Sequence, residues 1–122
     1  IASRQKRMHA FDILGDPVRR RILELLARGE HCSGEIVAVI EREFGISQSA
    51  VSQHLRVLRE NGFASVRNEG ARRVYSVEPA PLLEVDAWLD PFRSIWQESQ
   101  AALDREIVRA KRKQRNARSG AC

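Results

Sequence analysis

The chain has 122 residues, 43% of them hydrophobic and 30% charged, with a formal net charge of +5. That length suits one small domain and is too short for two comfortable ones. Its most apolar run, Ile36 to Ile40, falls far short of the roughly 20 residues that a membrane-spanning helix needs, so no membrane partner is expected.

The basicity is uneven. Residues 109–118 hold six Lys or Arg and no acid, which leaves the remainder of the chain at −1. Within residues 47–77, five Arg face only two Glu, a local excess of the sign that phosphate contact requires. No secretory signal is visible at the start, and an N-terminal Ile in place of Met suggests a trimmed chain; a cytoplasmic location is the expectation.

A first helix is predicted around Gln5 to Leu14, with Met8, Phe11 and Leu14 on one side. Asp16-Pro17 then forms a strong start signal, because Asp caps free amides and Pro is favoured at the first helical position. Val18, Ile22, Leu25 and Leu26 give this second helix its core stripe, and Gly29 ends it. A third helix is expected from Ser33 to Phe44, with Ile36, Ile40 and Phe44 spaced four apart as its face. Gly45 fits the left-handed position that stops a helix, and Ser47 caps the next one.

That next helix, Ser47 to Asn61, is the most informative stretch. Val51, Leu55 and Leu58 fall on one core-facing side, while Ser49, Ser52, Gln53 and Arg56 repeat the same spacing on the opposite side. A plain solvated face would more often carry Glu and Lys. Two helices joined by so tight a glycine turn make residues 33–61 a helix-turn-helix. Gln48, Ser49, Ser52, Gln53 and Arg56 are therefore assigned to the major groove of double-stranded DNA. Gln53 and Arg56 suit base edges by their length and paired donors, whereas Ser49 and Ser52 suit phosphates. His54 falls on the flank between the two sides, and its contact with DNA is left open.

Gly62 repeats the stop signal, and alternating residues follow around Val66 and through Val74, Tyr75 and Val77. The polar, glycine-bearing run from Arg67 to Arg73 between them suits a hairpin loop, so residues 63–78 read as a wing. Arg67, Arg72 and Arg73 are expected to touch DNA backbone or minor groove, with Tyr75 packed beneath.

Beyond a connector at Glu78 to Pro81, Leu82 to Trp88 reads as a short turn of helix. Asp90-Pro91 repeats the start signal and opens a long helix, with Leu89, Phe92, Trp96, Leu103, Ile107 and Ala110 as a heptad-like seam. About 25 helical residues extend on the order of 37 Å, more than a domain of this size can cover. The seam therefore calls for a second copy of the chain. The expected homodimer interface is Met8, Phe11, Leu89, Phe92, Trp96, Leu103 and Ile107; the alternative is that Phe92 and Trp96 fold back onto their own core. A twofold dimer presents two recognition helices to an inverted repeat.

The fold class is thus mostly α with a small β-hairpin wing: a winged helix-turn-helix dimerising through its N- and C-terminal helices. Residues 1–113 form the single domain, with 1–15 and 82–113 as dimerisation helices, and residues 114–122 form a basic flexible tail that either adds nonspecific DNA affinity or is a solvated helix end.

Three segments resemble the ArsR/SmtB family of winged-helix repressors. They are Leu14-Gly15-Asp16-Pro17-Val18-Arg19-Arg20-Arg21-Ile22-Leu23 at the second helix, Ile46 to Leu58 (ISQSAVSQHLRVL) at the recognition helix, and Glu69-Gly70-Ala71-Arg72-Arg73-Val74-Tyr75 in the wing. The resemblance implies a repressor that binds operator DNA as a dimer and releases it when an inducer binds. It does not by itself imply a metal sensor.

One family metal site uses two Cys in a stretch like Glu-Leu-Cys-Val-Cys-Asp-Leu. Here the corresponding stretch is Glu30-His31-Cys32-Ser33-Gly34-Glu35-Ile36, with one thiol and only His31 or Cys122 as further donors. A second family site needs His on the last helix, and no His follows His54. His9, His31 and His54 lie in separate segments without ligand spacing, so no metal and no cofactor is expected. Around Trp88 to Arg93 and Trp96 the chain resembles a subgroup of the family without the usual metal ligands. An unknown small-molecule or redox inducer stays open, with Cys32 either an oxidation sensor or a plain buried thiol.

An enzyme is not expected, for want of a Cys/His pair in sequence context, a phosphate-cradling glycine loop or an acidic cluster in an apolar setting. The rival class is a nonspecific architectural or protein-interaction winged helix.

Overall fold

The computed structural model describes residues 8–120, with side chains described as far as residue 115. Its elements are α1 (Ala10–Leu14), α2 (Pro17–Ala27), β1 (His31–Cys32), α3 (Ser33–Phe44), α4 (Gln48–Glu60), β2 (Ala64–Glu69), β3 (Arg72–Val77) and α5 (Ala80–Gly120). The chain divides into two units, one up to Val85 and one from Asp86 onward. No described helix is long and apolar enough to cross a membrane.

In the first unit, each helix starts where a short side chain can satisfy its free amides. Asp16 Oδ1 accepts from the amides of Val18 (2.8 Å) and Arg19 (3.3 Å), and Pro17 occupies the first turn, as the sequence predicts. His9 caps α1, its Nδ1 accepting from Phe11 N at 3.2 Å while Asp12 reaches back to His9 N. Buried Ala10 and Ile13 are the core side of α1, while Met8 and Phe11 stay exposed. Residues 5–7 of the expected first helix lie outside the described residues.

The stripes of α2, α3 and α4 converge on one core. Ile22, Ile36, Ile40, Val51 and Leu58 are fully buried, with Ile13, Leu26, Leu55 and Phe63 around them. Burying one such side chain contributes roughly 1.5–3 kcal/mol, so these periodic positions carry most of the packing energy. Phe44, expected on the same face as Ile36 and Ile40, is instead 37% exposed, at the last residue of α3.

The wing differs from expectation in two ways. Its loop is only Gly70-Ala71, since the strands pair as far as Glu69 opposite Arg72. Gly70 has φ 59 and Ala71 has no positive φ, the combination of a type II′ turn. Arg67, Arg72 and Arg73 consequently lie on strands. The sheet also has a third strand, in the order β1-β3-β2, because His31 and Cys32 pair antiparallel with Tyr75 and Val74. Two residues are too few for a visible alternation pattern.

After the wing, helix runs without a break from Ala80 to Gly120, with Pro91 inside it. The expected restart at Asp90-Pro91 is therefore absent. Proline deletes an amide donor and crowds the preceding turn. One residue before the Ala87 carbonyl, which Pro91 leaves without its helical donor, Arg93 Nη2 donates to the backbone carbonyl of Asp86 at 3.1 Å and pairs with the Asp86 carboxylate. Helix α5 also takes in residues 114–120, expected from the sequence as part of a tail.

Candidate nucleic-acid interface

Helix α4 owes its position to its two ends and its underside. Gly45, at φ 65 and ψ 30, turns the chain through the left-handed region and closes α3 by donating from its amide to Glu41 O at 2.9 Å. Two residues later Ser47 Oγ accepts from Ala50 N at 3.2 Å and starts α4. With Val51, Leu55 and Leu58 buried, the opposite face has to point outward. Gln48, Ser49, Ser52, Gln53 and Arg56 are all exposed on it, so the structure brings the five predicted recognition residues together.

Beside this face lies a groove of about 410 Å³. Gln48, Ser52 and Arg56 line it from α4, Ser33 from the start of α3, and Arg73 from the wing. Arg73 sits with its guanidinium carbon 5.8 Å from the ring centre of Tyr75, a cation-π contact that holds the charge at the groove wall. Tyr75 itself is buried beneath, as expected. Arg59 joins the same groove and was not picked out as a site residue from the sequence. Its signal was present, for Ser52, Arg56 and Arg59 follow the four-then-three spacing of one helix face. Ser33 had no local signal; only the packing of α3 against α4 brings it there.

The remaining predicted residues have other partners. Arg56 Nε donates to Glu60 Oε1 at 2.8 Å, one turn along the exposed face, which raises the Arg56 pKa and holds Glu60 below the ordinary carboxylate range. Arg67 is paired with both Glu30 and Glu69. Arg72 approaches Glu35 at 3.9 Å. His54 is half-buried on the flank, its Nδ1 4.0 Å from Asp16 Oδ2.

The donors around Cys32 do not suit a soft metal ion. Cys32 is the residue before α3, its thiol and its amide both directed to Glu35, and His31 Nδ1 lies 2.8 Å from the carbonyl of Gly29. One thiol falls short of the two or three sulfurs such an ion prefers. Among the described residues no group of three His, Cys, Asp or Glu could hold a metal. Cys122 lies outside the described residues.

Comparison with known proteins agrees with this geometry. The model of the bacterial regulatory protein arsR family matches residues 16–66, from the α2 cap into the wing. The chain is similar to the HTH-type transcriptional regulator Rv2034 of Mycobacterium tuberculosis, 40% identical over 83 residues that cover 68% of this chain and 74% of that protein. It is also similar to the transcriptional repressor SdpR of Bacillus subtilis, 31% identical over 66% of this chain and 86% of the relative. Among solved structures, a possible transcriptional regulator for arsenical resistance superposes with a TM-score of 0.60 at 36% identity, covering 70% of this chain and 84% of that one. The chain belongs to the ArsR family and is a winged helix-turn-helix, DNA-binding transcriptional regulator.

Proposed function

We propose that this regulator is a homodimeric repressor that reads an inverted-repeat operator with α4 in the major groove and the wing against the backbone. The observation that carries the reading is the shared groove: Gln48, Ser52 and Arg56 of α4 stand next to Arg73 of β3, so groove-reading and backbone-gripping groups lie side by side. Gln53 and Arg56 are the base-edge readers in this reading. Ser49 and Ser52 bind phosphates. Residues 1–15 and 82–113 serve dimerisation, and the protein acts in the cytoplasm, where its DNA lies.

Exposed apolar side chains support the dimer. Met8 and Phe11 near the first helix, and Phe92, Trp96, Leu103 and Ile107 along α5, are each between 38% and 56% exposed. Exposed apolar side chains repeated along one helix, as on α5, mark a contact site. A twofold dimer of such regulators presents its two α4 helices about one turn of duplex, or a multiple of it, apart. Repression is relieved by a small-molecule or redox inducer.

The test is a gel shift on the DNA upstream of the chain's own gene, with unrelated DNA as competitor. A specific repressor keeps its complex under competition. Loss of the complex to unrelated DNA at equal concentration would make this an architectural binder.

A further inference from the structure

Arg67 is the wing arginine most enclosed by carboxylates. It lies on β2 opposite Val74, and its guanidinium donates to Glu30 through Nη1 and to Glu69 Oε2 through Nε at 3.0 Å. Glu30 stands just before β1 and also accepts from Ser76 Oγ on β3 at 2.6 Å. One carboxylate thus reaches across β3 from the β1 side and ties both wing strands to the residue that leads into β1. These bonds hold Glu30 ionised below the ordinary carboxylate range, Arg67 being the larger cause and Ser76 the next.

The charge balance is what makes this cluster informative. One Arg against two Glu leaves the cluster at −1, on an element that faces a polyanion. Arg73, on the neighbouring strand, has no carboxylate partner among the described residues and sits in the groove with the recognition face. Of the three wing arginines, Arg73 is therefore ready for phosphate, Arg72 stands 3.9 Å from one carboxylate, Glu35, and Arg67 is already neutralised by two.

We propose that Glu30 and Glu69 are specificity-determining residues of the DNA interface: by keeping Arg67 neutralised they suppress sequence-independent attraction to phosphate, and Arg67 joins the interface only where a correctly seated duplex displaces them. This rests on the DNA-binding reading above. Nonspecific binding comes from cations that neutralise phosphates, each steepening the fall of log K with log salt by about 0.9. A cation withheld by its own carboxylates removes one such contribution from every wrong site, and selectivity is a difference between right and wrong partners.

The experiment uses the full chain and a mixed-sequence duplex of about 30 base pairs unrelated to the upstream DNA, titrated between about 50 and 200 mM salt. Glu30→Gln/Glu69→Gln keeps an acceptor oxygen at each position and removes both charges. The variant should bind this duplex about tenfold tighter at low salt, with a slope steeper by about 0.9. Adding Arg67→Ala to it should remove the gain, whereas Arg67→Ala in the parent should change nonspecific binding little. Unchanged or weaker nonspecific binding by the charge-removed variant overturns the proposal, as does a parent already weakened by Arg67→Ala. A parent that binds no duplex at any salt sinks the DNA-binding reading itself, while one that binds as tightly as the variant sinks this inference alone.

Discussion

His54 on the recognition helix and Asp16 at the start of α2 face each other, Nδ1 to Oδ2 at 4.0 Å. The same carboxylate caps α2 through the amides of Val18 and Arg19 and lies 3.8 Å from the Arg19 guanidinium. A single side chain thus starts α2 and supports the flank of α4. Asp16→Ala should lower stability by about 1 kcal/mol, the usual cost of a lost cap. Asp16→Asn should keep the cap and lose only the charge. Thermal melts of the two variants separate these roles.

The same residue predicts an acid dependence. Burial pushes the Asp16 carboxyl up, but the Val18 and Arg19 amides and the charges of His54 and Arg19 outweigh it and leave the group below its ordinary value. A carboxyl depressed by folding stabilises fully above its unfolded pKa of about 3.9 and loses that contribution as pH falls through the folded value. Urea titrations at descending pH should show the parent losing stability below about pH 4 more steeply than Asp16→Asn. Equal slopes would remove Asp16 from the acid response.

Gly45→Ala tests the turn between α3 and α4. An added Cβ would meet nothing within 4 Å, so the cost is one of backbone conformation at φ 65. For an L-residue in the left-handed region that cost is about 1 kcal/mol. A matching shift of the urea midpoint is expected, with the slope unchanged.

The two faces of α4 should respond to opposite measurements. Leu58 is fully buried, and Leu58→Ala should cost about 2–5 kcal/mol of stability. Gln53→Ala and Arg56→Ala should leave the melting temperature unchanged and weaken operator binding about tenfold per lost base contact. The bond from Arg56 to Glu60 does not stand in the way: a lone pair with side chains 68% and 53% exposed is weak and gives way to a base edge, whereas Arg67 is held by two carboxylates at once. Intact operator affinity in the double variant would move readout to other residues.

Phe92→Ala/Trp96→Ala probes the seam of α5. Both rings are exposed in the single chain, and Trp88 packs on Phe92 with centroids 4.8 Å apart. Light scattering should give the mass of two chains for the parent and of one for the variant. A parent with the mass of one chain at working concentration would end the homodimer proposal.

What the sequence determined by itself is local. Asp16-Pro17, Gly45 and Ser47 mark helix ends through their own backbone and side-chain chemistry, and the spacing of Val51, Leu55 and Leu58 sorts α4 into an inner and an outer face whatever else surrounds it. Tertiary structure alone decided the rest. β1 exists only because His31 and Cys32 find Tyr75 and Val74, and Glu30 reaches Arg67 from 37 residues away. Composition counted Arg67 as a cation for DNA; folding surrounded it with carboxylates. Helix and cap signals act over a few residues, whereas the partner of a strand edge or of a charge is chosen by which distant segments the packed core brings within reach.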